Sequence, residues 1–116
     1  MSVALTAEQA LRLWHDVNLE MVHDEQPDLS PRQASILLTV YLEAPPHTVR
    51  GLANKLDVSK PVITRALDAM GKLDLVNRRR DEQDRRNVLV QRTVKGALFM
   101  EYLAHMIAQR AQGLKR

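Results

Sequence analysis

The sequence predicts a mainly α-helical fold that contains one β-hairpin. Three observations support this prediction. Hydrophobic residues make up 45% of the 116 residues but aromatic residues only 3%, and a core of Leu, Val, Ala, Ile and Met favours helices over a β-sandwich. Ser or Thr precedes five helical patterns as a capping residue. An arginine-rich run lies between two segments that alternate like strands.

The first two helices are predicted from capping boxes, in which a Ser or Thr side chain and a Gln three residues later each accept a backbone N–H. Thr6 with Gln9 begins a helix over residues 7–23, and Ser30 with Gln33 begins a second helix. The expected buried face of this second helix comprises Ala34, Leu37, Leu38 and Tyr41.

Two short helices follow, capped by Thr48 and Ser59 and separated by a tight turn at residues 57–58. This spacing is typical of a helix-turn-helix, whose second helix enters the DNA major groove with its N-terminal residues. The second helix is expected over residues 59–73. Its inward residues are Ile63, Ala66, Leu67 and Met70. The expected major-groove residues are Ser59, Lys60, Pro61, Thr64 and Arg65.

A basic hairpin comes directly after the helix-turn-helix, and this order predicts a winged helix-turn-helix (α-α-α-α-β-β-α). Residues 78–86 hold five arginines and three acidic residues between the strand-like segments 75–78 and 88–92. We expect the wing, residues 77–92, to enter the minor groove. Its contact set is Asp84, Arg85 and Arg86, with the aspartate orienting the last arginine. The expected phosphate contacts are Arg50, Lys55, Arg78, Arg79 and Arg80.

Charge is distributed unevenly along the chain. Residues 1–30 hold one base and six acids, whereas residues 31–116 hold 16 bases and eight acids, which leaves net charges of −5 and +8. The basic part is suited to a polyanionic partner, and the acidic part is expected to face away from it.

Other classes of protein are disfavoured by what the sequence lacks. There is no cysteine, and the four histidines show no metal-ligand spacing. No nucleophile or phosphate-loop motif occurs, so no enzyme activity, metal or cofactor is expected. Since no apolar run approaches the roughly 18 residues of a membrane span, we expect no membrane contact and a cytoplasmic location.

Two segments within residues 30–100 resemble the MarR family of winged-helix transcriptional regulators: TVRGLANKLDVSKPVITRALDAMGKLDLV and DEQDRRNVLVQRTVKG. Asp84 matches the family's wing aspartate, Arg86 the arginine that enters the minor groove, and Gly96 the glycine that opens the last helix. Two residues depart from the family pattern. Asp74 stands where glycine is usual, although Asp tolerates the left-handed conformation better than most residues, and Arg92 stands where leucine is usual.

The resemblance implies a homodimer that binds a palindromic operator in double-stranded DNA. In many members a small-molecule effector, commonly an aromatic acid, releases the DNA. On this basis residues 1–29 form a supporting and dimerisation helix, residues 30–96 the DNA-binding domain, and residues 97–116 a C-terminal dimerisation helix. Trp14 lies on the apolar stripe of the first helix and is expected in the core or at the subunit interface.

One alternative class stays open, namely a winged-helix module that binds another protein without specific DNA binding. Such a module should present apolar residues on the outward face of residues 59–65. The residues found there, Lys60, Thr64 and Arg65, favour DNA.

Overall fold

The computed structural model describes residues 4–114, and these residues form a mainly helical winged-helix fold, as predicted. The elements in chain order are α1 (Ala7–His23), α2 (Pro31–Leu42), β1 (His47–Thr48), α3 (Val49–Leu56), α4 (Lys60–Lys72), β2 (Val76–Arg80), β3 (Val88–Arg92) and α5 (Val94–Gln112). The ends of the predicted terminal regions, residues 1–3 and 115–116, lie outside the described residues. No helix in the described range is long and apolar enough to cross a membrane.

The helix starts follow the capping residues closely. Both predicted capping boxes form, with Gln9 N donating to Thr6 Oγ1 at 3.1 Å and Gln33 N donating to Ser30 Oγ at 3.1 Å. Thr48 caps α3 by accepting the Gly51 N–H at 2.9 Å.

Ser59 occupies the N-cap position of α4, but its side chain makes no capping hydrogen bond, contrary to the prediction. The reason lies in the next residues. An N-cap side chain accepts from the second or third helical N–H. The second position is Pro61, which has no N–H, and the Val62 N–H is bonded to the Ser59 carbonyl at 3.2 Å. The Ser59 hydroxyl therefore remains available at the start of α4.

The three strands form one antiparallel sheet in the order β1-β3-β2. In the hairpin, Val76 pairs with Arg92 and Arg80 pairs with Val88. β3 has its predicted bounds, while β2 begins at Val76 and extends to Arg80 rather than spanning residues 75–78. β1 was not predicted, because two residues are too few to show an alternating pattern.

The buried face of α4 is the one predicted: Ile63, Leu67 and Met70 are completely inaccessible and Ala66 is 6% exposed. The predicted face of α2 is only partly correct: Leu37 is buried and Ala34 and Tyr41 are half-buried. Its buried residues are Ile36, Leu37 and Val40, whereas Leu38 is 42% exposed. α2 is apolar on more than one side. Hydrophobic periodicity alone therefore could not distinguish the predicted face from a neighbouring one, which is rotated by about 100° for each position along the helix.

The described residues divide into two compact units. The first contains residues 4–28 and 101–114, and the second contains residues 29–100. In the first unit the Tyr102 hydroxyl donates to Asp24 Oδ2 at 2.5 Å, and Arg110 pairs with Glu20. Burial, together with the hydrogen bond to Asp24, raises the pKa of Tyr102 to about 12. Within this unit Trp14 is 66% exposed, so it is not a core residue. Its place at a subunit interface remains a prediction.

Gly96 is required by close packing at the start of α5. A Cβ at this position would overlap the Tyr41 hydroxyl and the Leu75 carbonyl oxygen. The overlap with the backbone oxygen cannot be relieved by a side-chain rotation, which explains why a glycine opens this helix.

Replacing Gly96 by alanine is therefore expected to lower the free energy of unfolding by about 1–3 kcal/mol, through overpacking. Denaturant unfolding measures this change. Gly71→Ala is a matched control, because a Cβ at this position in α4 meets nothing within 4 Å. We expect the control to be neutral or stabilising, since alanine has the higher helix propensity. Equal stability of the Gly96→Ala variant and the wild type would contradict the packing described.

Candidate nucleic-acid interface

The outward face of α4 begins with exposed polar and charged side chains. Lys60, Thr64 and Arg65 are all exposed, and across residues 4–114 no hydrogen bond or ion pair engages their side chains. The rotation of this face is fixed, because Ile63 and Leu67 on the opposite side are completely buried. The helix thus presents these three side chains to solvent, and no group among the described residues occupies their hydrogen-bond donors.

The wing carries an oriented arginine near its tip. Arg86 makes a bidentate pair with Asp84, in which Nε donates to Oδ1 and one terminal nitrogen donates to Oδ2, both at 3.0 Å. The Arg86 backbone N–H also donates to Asp84 Oδ1 at 3.1 Å. The Arg86 side chain is nevertheless 82% exposed. Asp84 therefore holds the guanidinium in one orientation without burying it.

The same pair shifts both groups toward their charged forms. The side-chain hydrogen bond from Arg86, its backbone N–H and the nearby charge of Arg50 lower the pKa of Asp84 below its usual value. The bond to Asp84 raises the pKa of Arg86. Because the Asp84 pKa is lowered, its carboxylate stays ionised above the usual value near 4 and is neutralised only as the pH falls through the lower folded pKa. The pair is intact at neutral pH.

Hydrogen bonds within the arginine-rich run order the wing loop. Asp81 Oδ1 accepts the Gln83 N–H at 3.0 Å, and the Asp84 carbonyl accepts the Asn87 N–H at 2.9 Å. Arg80 donates to the Arg85 carbonyl at 2.9 Å, which joins β2 to the far side of the loop. The Arg85 side chain is exposed. Arg80, Asp81 and Asp84 therefore order the turn that presents Arg85 and Arg86.

Three of the five predicted phosphate contacts are engaged within the protein. Arg78 donates to Asp68 Oδ1 at 2.6 Å and its side chain is only 32% exposed. Lys55 pairs with Glu43 at 2.9 Å, and Arg80 binds the loop carbonyl described above. Arg50 and Arg79 are exposed, and their side chains make no hydrogen bond or ion pair with any described residue.

Five of the thirteen predicted site residues line one cleft of about 240 Å³ between α3, α4 and the wing. Its polar lining residues are Arg50, Lys60, Thr64, Arg78, Arg86 and Asn87. The cleft brings four cationic side chains from three elements to one surface. Arg79 does not belong to this set. It pairs with Leu89, and successive strand residues alternate between faces, so it lies on the other face of the hairpin from Arg78.

The sequence did not indicate Asn87 as a residue of the site, nor the ion pair made by Asp68. Asp68 lies one turn after Thr64 on the same face of α4, and its carboxylate ties this helix to β2 through Arg78. Helical spacing places Asp68 on the outward face of α4, but nothing local indicates its partner ten residues later. Among the described residues no group of three or more His, Cys, Asp or Glu side chains could hold a metal ion.

A helix-turn-helix with a free cationic front, followed by a wing that presents an oriented arginine, defines the class of winged-helix DNA-binding transcriptional regulators. The comparisons with known proteins identify the family. The MarR family model matches residues 29–88, which is more than half of the chain, and the chain belongs to the MarR family. The prediction of a transcriptional regulator rather than an enzyme is confirmed by this membership.

Solved structures of MarR-type regulators are similar to the chain over most of its length. The S. aureus MepR–DNA complex has a TM-score of 0.75 and 17% identity, covering 89% of this chain and 82% of that one. The repressor CouR bound to a 23-mer DNA duplex has a TM-score of 0.69 and 28% identity, covering 90% and 71%. Regulator Tm0710 from Thermotoga maritima has a TM-score of 0.65 and 23% identity, covering 90% and 68%. No curated protein matches the sequence significantly.

Proposed function

We propose that the protein binds double-stranded operator DNA in a sequence-specific manner, with α4 in the major groove and the wing in the adjacent minor groove. One observation carries this proposal: Lys60 and Thr64 of α4, Arg50 of α3 and the wing arginine Arg86 line a single cationic cleft. A surface with cations from three elements fits two grooves and the phosphates between them. The MepR and CouR structures, both solved with DNA, support duplex DNA as the partner.

The residues of α4 are suited to different parts of the groove. Arg65 has a guanidinium that can donate in bidentate fashion to guanine O6 and N7, while Thr64 can contact a thymine methyl group or a phosphate. Lys60 and the unused Ser59 hydroxyl lie at the N-terminus of α4, where the helix dipole favours a phosphate, and Pro61 fixes the first turn.

The wing and its neighbours supply the remaining contacts. Arg86, held by Asp84, reaches into the minor groove, and Arg85 lies beside it. Arg50 of α3 contacts a phosphate from the cleft, and Arg79 contacts one from the opposite face of the hairpin. Arg78, Lys55 and Arg80 support the surface mainly through their internal partners and add to its positive field.

The operator should be a palindrome, because the protein acts as a homodimer. α1 exposes Leu11, Trp14 and Val22 on one face, at 71%, 66% and 72%. An apolar face of this kind is covered when a second copy binds. Two-fold symmetry then places the half-sites about one helical turn of DNA apart. A cytoplasmic location is part of this proposal, whereas release by a small aromatic acid rests on family membership alone.

The salt dependence of duplex binding tests the proposed function. Each phosphate contact releases counterions, so the logarithm of the association constant should fall linearly with the logarithm of salt concentration, by about 0.9 per contact. Fluorescence anisotropy with a labelled duplex measures this slope. Absence of binding to any duplex, even at low salt, would instead favour the protein-binding module.

A further inference from the structure

A single hydroxyl group lies at the base of the wing and contacts both ends of the hairpin. Tyr41, on α2, accepts the Thr93 N–H at 3.0 Å. The Tyr41 hydroxyl oxygen also lies 3.0 Å from the Leu75 carbonyl oxygen and 3.2 Å from the Thr93 carbonyl oxygen, so its one proton can be donated to either of them. Leu75 immediately precedes β2 and Thr93 immediately follows β3. One atom of α2 therefore ties the start of the hairpin to its end.

Two further bonds close the same junction. Thr93 Oγ1 donates to the Asp74 carbonyl at 2.7 Å and accepts the Gly96 N–H at 2.9 Å. Asp74 adopts the left-handed conformation, with φ of 58°, in the turn that leads from α4 into β2. Since Gly96 packs against the Tyr41 hydroxyl, a bulkier residue would displace the phenol from this position.

Arg92 fixes the Tyr41 ring and the end of α2 from the side of β3. Its Nε donates to the Val40 carbonyl at 2.9 Å and a terminal nitrogen donates to the Glu43 carbonyl at 3.3 Å. Its guanidinium lies 5.7 Å from the centre of the Tyr41 ring. A cation bonded to the last carbonyls of a helix is favourable. A leucine at this position could make none of these polar contacts.

The position of the hairpin base controls the position of the tip. Arg86 lies six residues from Arg92, a distance of about 20 Å along an extended strand. A rotation of about 5° at the base would move the tip by about 2 Å, which exceeds the tolerance of a hydrogen bond. The Arg86 guanidinium can therefore meet its target only if the base is held.

We propose that Tyr41 is a positioning residue for DNA binding, which sets the angle of the wing together with Arg92 and does not itself touch DNA. This inference rests on the proposed function of the wing. It predicts that the Tyr41 hydroxyl influences affinity through the arginines of the wing, and chiefly through Arg86.

A double-mutant cycle tests this dependence with Tyr41→Phe and Arg86→Ala. Loss of one hydroxyl should weaken operator binding about fivefold, the equivalent of one net hydrogen bond. In the Arg86→Ala background the same substitution should change affinity by less than about twofold. Tyr102→Phe is the matched control, because it removes a hydroxyl bonded to Asp24 in the other unit, and its effect should be equal in both backgrounds. Arg92→Leu should couple to Arg86 as Tyr41→Phe does.

Equal losses from Tyr41→Phe in both backgrounds, or no loss at all, would overturn the positioning role. A second measurement separates this outcome from failure of the proposed function. The chain has no cysteine, so spin labels can be attached specifically at Gln83→Cys in the wing and Lys72→Cys in α4. The distance between them is then measured in the absence of DNA. Pulsed electron spin resonance should show a broader distance distribution after Tyr41→Phe. An unchanged distribution would overturn the inference even if DNA binding is confirmed.

Discussion

Replacing Arg65 by alanine is expected to relax base preference at one position of each operator half-site, at a cost of about 1–3 kcal/mol for the preferred base pair. Arg65 lies on the α4 face opposite the fully buried Ile63 and Leu67, and no partner within the described residues holds its guanidinium. Its donors are thus available for a bidentate contact with guanine. Affinities for duplexes that carry each base at each position measure the effect.

Arg12→Ala provides the matched control for charge, because Arg12 is an exposed arginine of α1 and lies outside the winged unit. This variant should keep the wild-type base preference. If Arg65→Ala weakens all duplexes by the same factor, Arg65 contacts only the phosphate backbone and the major-groove assignment is wrong.

Arg86→Ala should weaken operator binding and reduce the magnitude of the salt slope by about one unit. The guanidinium is exposed and oriented by Asp84, so its loss removes one cation from the minor groove. Anisotropy titrations over a salt series measure affinity and slope together. Affinity indistinguishable from the wild type would remove the wing from the mechanism.

Asp84→Asn separates orientation from charge in this prediction. The variant keeps the Arg86 cation but weakens its bidentate pair with residue 84. DNA affinity should therefore fall, while the salt dependence should stay as in the wild type, in contrast to the result expected for Arg86→Ala. Since Arg86 lowers the Asp84 pKa, wild-type binding should not vary between pH 5 and 8 through this carboxylate. A loss of affinity would appear only on acidification below the usual aspartate pKa near 4.

The parts of the site that sequence could predict depend on local spacing. The Asp84–Arg86 pair spans two residues, the capping boxes span three, and the buried face of α4 repeats at helical intervals. Each of these can be inferred from residues close together in the sequence, because the local backbone conformation alone brings the groups into contact.

The remaining contacts join residues that are distant in the chain. Arg78 pairs with Asp68 across ten residues, and Tyr41 reaches Leu75 across 34 and Thr93 across 52. These pairings depend on how α2, α4 and the hairpin pack, which no local pattern encodes. For the same reason the sequence did not show that Arg78, predicted to contact phosphate, also joins the wing to α4.

Selection of binding sites from random duplexes at physiological salt tests the central claim most directly, namely that a homodimer reads a specific DNA sequence through α4 and the wing. We expect enrichment of a palindrome whose half-sites lie about one helical turn, roughly ten base pairs, apart. Recovery of no enriched sequence would contradict specific DNA recognition, and enrichment of a single asymmetric site would contradict the symmetric dimer.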